Sequence, residues 1–217
     1  MGTYSEWKES PYAAKGVHCQ DCHMPTVKDA TTVKAGVKVS TKRVNKHDLQ
    51  GGHSVDQLQR AAKVEILEVS KGSDAVLVRV RVTNVGSGHK MPTGIPSRKI
   101  LLTGRLKDAR GAILREATIR YQKVLVDAQR KPLETDADIF LKPSTILVDN
   151  RLGPQESRIE RLIFPVTRDL IEDQVIGGRT YPRNLSVEVA LTYSYTPLIL
   201  QPADMVQEMA KDTRPLP

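Results

Sequence analysis

Aromatic residues are rare in this chain, with two phenylalanines and one tryptophan in 217 residues. An enzyme pocket, or a platform that stacks bases or sugars, draws on more of them than that. No apolar run approaches the length of a membrane span. Also missing are a Ser/His/Asp order, carboxylates paired for a pocket and a glycine-rich phosphate loop, which removes the readiest grounds for a catalyst acting by itself. The net charge is +8, but the basic residues are spread out and no nucleic-acid recognition motif accompanies them. The one dense basic run, KAGVKVSTKRVNKH at residues 34–47, reads as a solvated loop ahead of a docking patch for an acidic partner. Neither nucleic-acid binding nor a membrane span is expected.

Only two cysteines occur, and both fall in HCQDCHMP, residues 18–25. Cys19 and Cys22 are separated by two residues and His23 follows at once, the pattern by which a c-type haem is attached. Two thiols so spaced can each form a thioether with one haem vinyl group, and a histidine directly after the second is tethered beneath the iron as proximal ligand. Zinc would need two further ligands, and no third cysteine exists, which leaves His18, His47, His53 and His89. A redox pair would sit at the end of a strand within a βαβ pattern, and SPYAAKGVH before Cys19 is no buried strand. A disulfide across two residues would be strained. The opening MGTYSEWKES is not a signal peptide, while haem attachment takes place outside the inner membrane. The expectation is a periplasmic or extracellular chain, given either as a mature form or as a piece of a longer protein.

The pattern changes near residue 60. Residues 1–60 are polar, with almost no apolar periodicity, and could not bury enough surface to fold without a cofactor. Short helices are expected over SEWKESPYAAK, with Ser5 as a possible N-cap, and over residues 54–62 behind Ser54. From residue 61 to 200, apolar and polar residues alternate in six or seven segments parted by KGSD, DARG and GGRTYPRN. That predicts a mainly β fold, an antiparallel Ig-like β-sandwich preceded by a loop-rich c-type haem-binding segment. Residues 201–217 form a tail in which PADMVQEMAKD suggests a short helix.

Two loops depart from scaffold chemistry. NVGSGHKMPTG, residues 84–94, carries His89 between glycines and Pro92, and could bring a histidine and close-running backbone to a flat ligand. HDLQGGH, residues 47–53, sets His47 and His53 about a glycine pair. Each also reads as an ordinary polar turn.

Taken in order, HCQDCHMP, HDLQGGHS and VTNVGSGHKMPTGIPSRK resemble the C-terminal portion of bacterial multihaem c-type cytochromes, and LVDNRLGPQESRIERLIFPV is similar to the Asp-x-Arg-x-x-Pro region of their sandwich. The resemblance covers nearly the whole chain. It implies electron transfer, usually in anaerobic respiration, with other cytochromes as redox partners and homo- or hetero-oligomers left open. Members of that group carry several haems, whereas two cysteines attach one, so the chain is expected to be a subunit or fragment of a multihaem system. Cys19 and Cys22 match the thioether positions, His23 the proximal ligand, and His47 and His89 two candidates for the distal ligand. Loop closure and a haem segment enclosing its own cofactor favour His47, with His89 the alternative and His53 behind both. Met91 is a weaker candidate, Met24 is badly placed beside His23, and His18 is expected to face outward. A haem-based sensor or catalyst with an open distal site is the competing reading.

Protein matured by the cytochrome c assembly machinery should therefore show the polypeptide mass plus one haem, resistant to acid extraction. Replacing Cys19 or Cys22 by Ala should leave the haem singly attached or lost. An unmodified mass from such a host would refute the attachment.

Overall fold

The computed structural model describes residues 2–28, 43–181, 183–195 and 205–217; residues 34–42 of the basic run lie outside them. The chain opens with three short helices, α1 (Thr3–Lys8), α2 (Pro11–Ala14) and α3 (Cys19–His23). A ribbon of β1 (Thr26–Lys28) with β2 (Arg43–Asn45) follows, and then α4 (Val55–Ala61). The single helix expected over SEWKESPYAAK is broken in two at Ser10–Pro11. Proline lacks an N–H and disfavours helical geometry in the residue before it, so Ser10 turns extended and caps the second helix, its Oγ accepting from Tyr12 N–H at 3.2 Å. Ser5 lies inside α1 rather than capping it, and the position before that helix is Gly2. Ser54 caps α4 as the sequence suggests, with Oγ accepting from Gln57 N–H at 3.4 Å.

From Ala62 onward strands dominate: β3 (Ala62–Lys71), β4 (Ala75–Asn84), β5 (Lys99–Lys107), β6 (Ile113–Tyr121), β7 (Lys123–Val126), α5 (Asp136–Leu141), β8 (Thr145–Asp149), β9 (Ser157–Pro165), α6 (Arg168–Ile171), β10 (Gln174–Ile176), β11 (Arg179–Tyr181), β12 (Ser186–Tyr195) and β13 (Met205–Pro215). Two antiparallel sheets, ordered β13-β12-β5-β6 and β3-β4-β9, make the sandwich. β7–β8 and β10–β11 are separate two-stranded ribbons. The mainly β, antiparallel fold with a few short helices is the one the alternation predicts.

Period-two patterning places the core. Along β4, Val76, Val78, Val80 and Val82 are buried while Leu77, Arg79 and Arg81 point away. Val187, Val189 and Leu191 of β12, Ile100, Leu102 and Leu106 of β5, and Leu162 and Phe164 of β9 complete the same cluster. Each such side chain contributes about 1.5–3 kcal/mol on burial. The sheets press together at Gly104, where a Cβ would lie 2.5 Å from Leu162 Cδ1 and 3.0 Å from Phe164 Cζ. Only glycine lets β5 and β9 pack at that spacing.

Two expectations fail. The segment AILREATIRYQKV does not run on as one strand. It divides at Gln122, whose N–H donates to Asn150 Oδ1 at 2.8 Å, and its end leaves the sheet as β7. The tail is not helical either. β13 pairs with β12 from Met205 to Pro215 and buries Met209, because the exposed ladder of β12 offers ten residues of backbone pairing that outweigh a weak helix propensity. Asp212 of this strand also accepts from Ile66 N–H at 2.7 Å, tying it to β3. Among the described residues no helix is long and apolar enough to cross a membrane.

Residues 62–217 are expected to melt cooperatively when produced without the N-terminal segment, as followed by far-ultraviolet circular dichroism. The same segment ended at Tyr195 should melt at a clearly lower temperature, since it uncovers β12. Equal melting temperatures would show that β13 adds nothing to the core.

Candidate functional site

α3 is one turn of helix in which Cys19, Cys22 and His23 stand at positions i, i+3 and i+4, so all three project from one face. The turn is fixed at its start by His18 N–H, which donates to Asp21 Oδ2 at 2.7 Å. Both cysteines are free thiols. Burial first, then the nearby Asp21 and Cys19, push the Cys22 thiol upward, the opposite of an activated redox thiolate. Among the described residues no group of three or more His, Cys, Asp or Glu gathers to hold a bare metal ion, so a zinc shell is not assembled around the pair.

His23 is oriented by the HDLQGGH element, though not by its histidines. His23 Nδ1 is hydrogen-bonded to the Gln50 carbonyl, and Gln50 N–H donates back to His23 O at 3.0 Å. A carbonyl can only accept, so the proton sits on Nδ1 and Nε2 is left with its lone pair. His47 and His53 are exposed and neither lines the cavity described below. The neighbouring Gly51 and Gly52 do line it. A Cβ on Gly52 would lie 2.5 Å from Tyr193 Oη, so the glycine pair lets this loop press against β12.

His89 lies on the loop from β4 to β5, which is held from within. Asn84, fully buried, donates through Nδ2 to His89 O at 3.1 Å and accepts from Ser87 N–H at 2.9 Å. His89 Nδ1 reaches Lys90 O at 3.0 Å and Ser87 Oγ at 2.9 Å. The carbonyl again assigns the proton to Nδ1, and Nε2 has Ser87 Oγ near it at 3.5 Å. Burial lowers the pKa of His89, which favours the neutral, ligand-competent ring. Met91, the weaker candidate, is buried and also lines the cavity, its backbone exchanging hydrogen bonds with Leu152 at 2.8 and 3.0 Å.

The two held imidazoles lie close together with nearly parallel planes. Their ring centroids are 6.2 Å apart and their planes 9° from parallel. Two metal–imidazole bonds of about 2 Å, plus about 1 Å from each ring nitrogen to its centroid, give about 6 Å. The pair borders a cavity of about 420 Å³, on whose wall Cys19 and Cys22 also lie. Trp7, Leu58, Ile100 and Met209 supply apolar lining. Trp7 is fixed by Nε1 donating to Val17 O at 2.8 Å, and the exposed His18 stands 5.8 Å from its ring. The site thus combines two Nε2 lone pairs, two thiols and an apolar slot, which suits a covalently attached haem. Of the two distal candidates, the β4–β5 loop brings His89 beside His23, whereas His47 lies exposed outside the cavity lining.

A buried ion pair ties that loop to the N-terminus. Arg151, 5 % exposed, donates to Glu6 Oε1 at 2.8 Å and to both oxygens of Asp149 at 2.7 and 2.8 Å. Glu6 Oε2 accepts from Lys90 N–H at 3.2 Å, the residue next to His89. Asp149 and Arg151 belong to the Asp-x-Arg-x-x-Pro region quoted above. Glu6, Gln50 and Trp7 carry no such signal, since a carbonyl, a lone carboxylate or a lone aromatic ring leaves no spacing to read.

No family model matches the chain, and no curated protein does. Among solved structures, the fold is similar to that of a penta-haem cytochrome c552 from Thermochromatium tepidum, with a TM-score of 0.62 at 22 % identity. The match takes in 98 % of this chain and 50 % of that one, so the chain spans half the length of the protein it matches.

Arg151→Ala is expected to lower stability by about 3–5 kcal/mol, as one-sided removal of a buried pair does. The Arg151 guanidinium also holds Asp149 well below the usual carboxylate range, so its contribution is present above about pH 4 and fades as pH falls through the lowered value. Thermal melts across acid pH should show the wild type losing stability below that point. The variant should be weaker at neutral pH, with a flatter acid limb.

Proposed function

We propose that the chain is a c-type cytochrome segment that carries electrons through one haem c, joined to Cys19 and Cys22 with His23 and His89 as axial ligands. The observation that carries this reading is the near-parallel pair of imidazoles 6.2 Å apart, each with Nδ1 bonded to a backbone carbonyl. The fold shared with a penta-haem cytochrome supports it. Bound there, haem iron supplies reversible one-electron exchange.

The residues of the chain set the terms for that exchange. His23 and His89 are held by backbone carbonyls, which fixes the ring orientations and the tautomer of each. Trp7, Leu58 and Met209 exclude water from the slot. His23 and His89 together would hold the iron with no open position, which favours electron carriage over a sensor or catalyst needing one. Because the chain attaches one haem and spans half of the penta-haem protein, we read it as a subunit or fragment working with other cytochromes as redox partners. Thioether formation places that work outside the inner membrane.

Optical and electron paramagnetic resonance spectra of the ferric protein test the ligation. His89→Ala should convert a low-spin spectrum to high-spin and open the site to cyanide. His47→Ala and His53→Ala should remain low-spin. A high-spin His47→Ala protein beside a low-spin His89→Ala protein would reverse the assignment.

A further inference from the structure

We propose that Arg98 is the anion-binding residue of this cavity and pairs with a haem propionate, an assignment that rests on the haem reading above. Arg98 precedes β5 and lines the cavity together with His23 and His89. Its Nη1 donates to Thr93 O at 3.2 Å, and its Cζ lies 5.4 Å from the centre of the Tyr195 ring. Its Nε is buried without a hydrogen-bond partner among the described residues. No carboxylate lies within ion-pair distance of it there, whereas Arg105, Arg151 and Arg158 each have one. Asp136, the buried carboxylate near Tyr195, instead accepts from Ser97 Oγ at 2.5 Å and Tyr195 Oη at 3.4 Å.

An arginine with a buried, partnerless Nε and no carboxylate within ion-pair distance leaves its charge uncompensated, and the N–H groups of its fork that Thr93 does not engage can take an anion from the cavity. The charged groups on the periphery of a haem are its propionates, and the planar fork of arginine matches a carboxylate in two-point contact. The backbone makes room for that fork. A Cβ on Gly94, whose φ is +89°, would sit 2.7 Å from Arg98 Nη1. The other buried unsatisfied nitrogen, Arg183 Nε, does not line the cavity.

Arg98→Gln, Arg98→Lys and, as a control on the exposed β5–β6 turn, Arg110→Gln are matured with the assembly machinery. Each is examined by mass, by redox titration and by the propionate bending bands of its resonance Raman spectrum. Haem missing from the wild-type mass refutes the underlying haem reading and not merely the pairing. With haem present, Arg98→Gln should show a lower reduction potential, since removing a nearby cation favours the ferric state, together with displaced propionate bands. Arg98→Lys should keep a potential near that of the wild type but still displace the bands, because the charge remains and the fork is lost. Arg110→Gln should change neither. An unchanged Arg98→Gln protein overturns the pairing, and so does a lowered potential with unmoved bands, which would mean a charge acting only through space. Should Arg98→Gln fail to mature, the wild-type bands are compared with those of the haem peptide released from it by proteolysis, whose propionates face water. Identical bands overturn the pairing, and bands displaced toward stronger hydrogen bonding support it.

Discussion

The buried Arg151 guanidinium is the contact on which the arrangement of the site depends. It bonds Glu6 of α1 and Asp149 at the end of β8, and it reaches toward the Pro92 carbonyl at 3.3 Å in the loop that carries His89. Three stretches far apart in sequence therefore share one cation. A buried ion pair is weak evidence for net stability, because desolvation offsets much of the attraction. It is strong on geometry, because leaving any partner unpaired in the interior is expensive. Arg151 thus fixes where α1, and the apolar slot beside it, sit against the sandwich.

The same constraint explains why the histidine nearer in sequence is not the one beside His23. Loop entropy favours His47, but each doubling of loop length costs only about 0.6 kcal/mol. Against that small preference stands a loop ordered before any ligand arrives. Asn84, Ser87 and the Lys90 carbonyl fix His89, and Met91 is clamped to Leu152. Preorganisation of this kind reduces the entropy lost on binding, and it is decided by the fold rather than by spacing. The element around His47 contributes through its neighbours: Gln50 holds His23, and Gly51 and Gly52 line the slot.

Much of this was legible in the sequence. Alternating valines in β4 announce a strand buried on one face, and Cys19, Cys22 and His23 announce their chemistry by spacing. What could not be read depends on long-range geometry. The helical look of PADMVQEMAKD is a local propensity, and it lost to a sheet edge that appears only once β12 is in place. The choice between His47 and His89 turned on whether the sandwich reaches α3, which no single segment encodes. Arg98 looks like any arginine ahead of a strand until its Nε is seen buried without a partner.

The order of dependence within the molecule follows from burial. Neither α1, α2 nor α3 buries any residue beyond the capping Ser10, so the N-terminal segment has no core of its own. The sandwich has a continuous one, and it supplies His89, Ile100, Tyr193 and Met209 to the cavity wall. The segment is then held by Arg151, by Tyr12 Oη donating to Val85 O at 3.0 Å, and by close packing of Trp7 and Tyr12 on Gly88. Each of these contacts lies beside the slot between His23 and His89. A ligand bridging the two histidines would add one more bond between the segment and the sandwich. Cofactor binding and docking of the N-terminal helices are accordingly one event in energetic terms, with the sandwich as the rigid half.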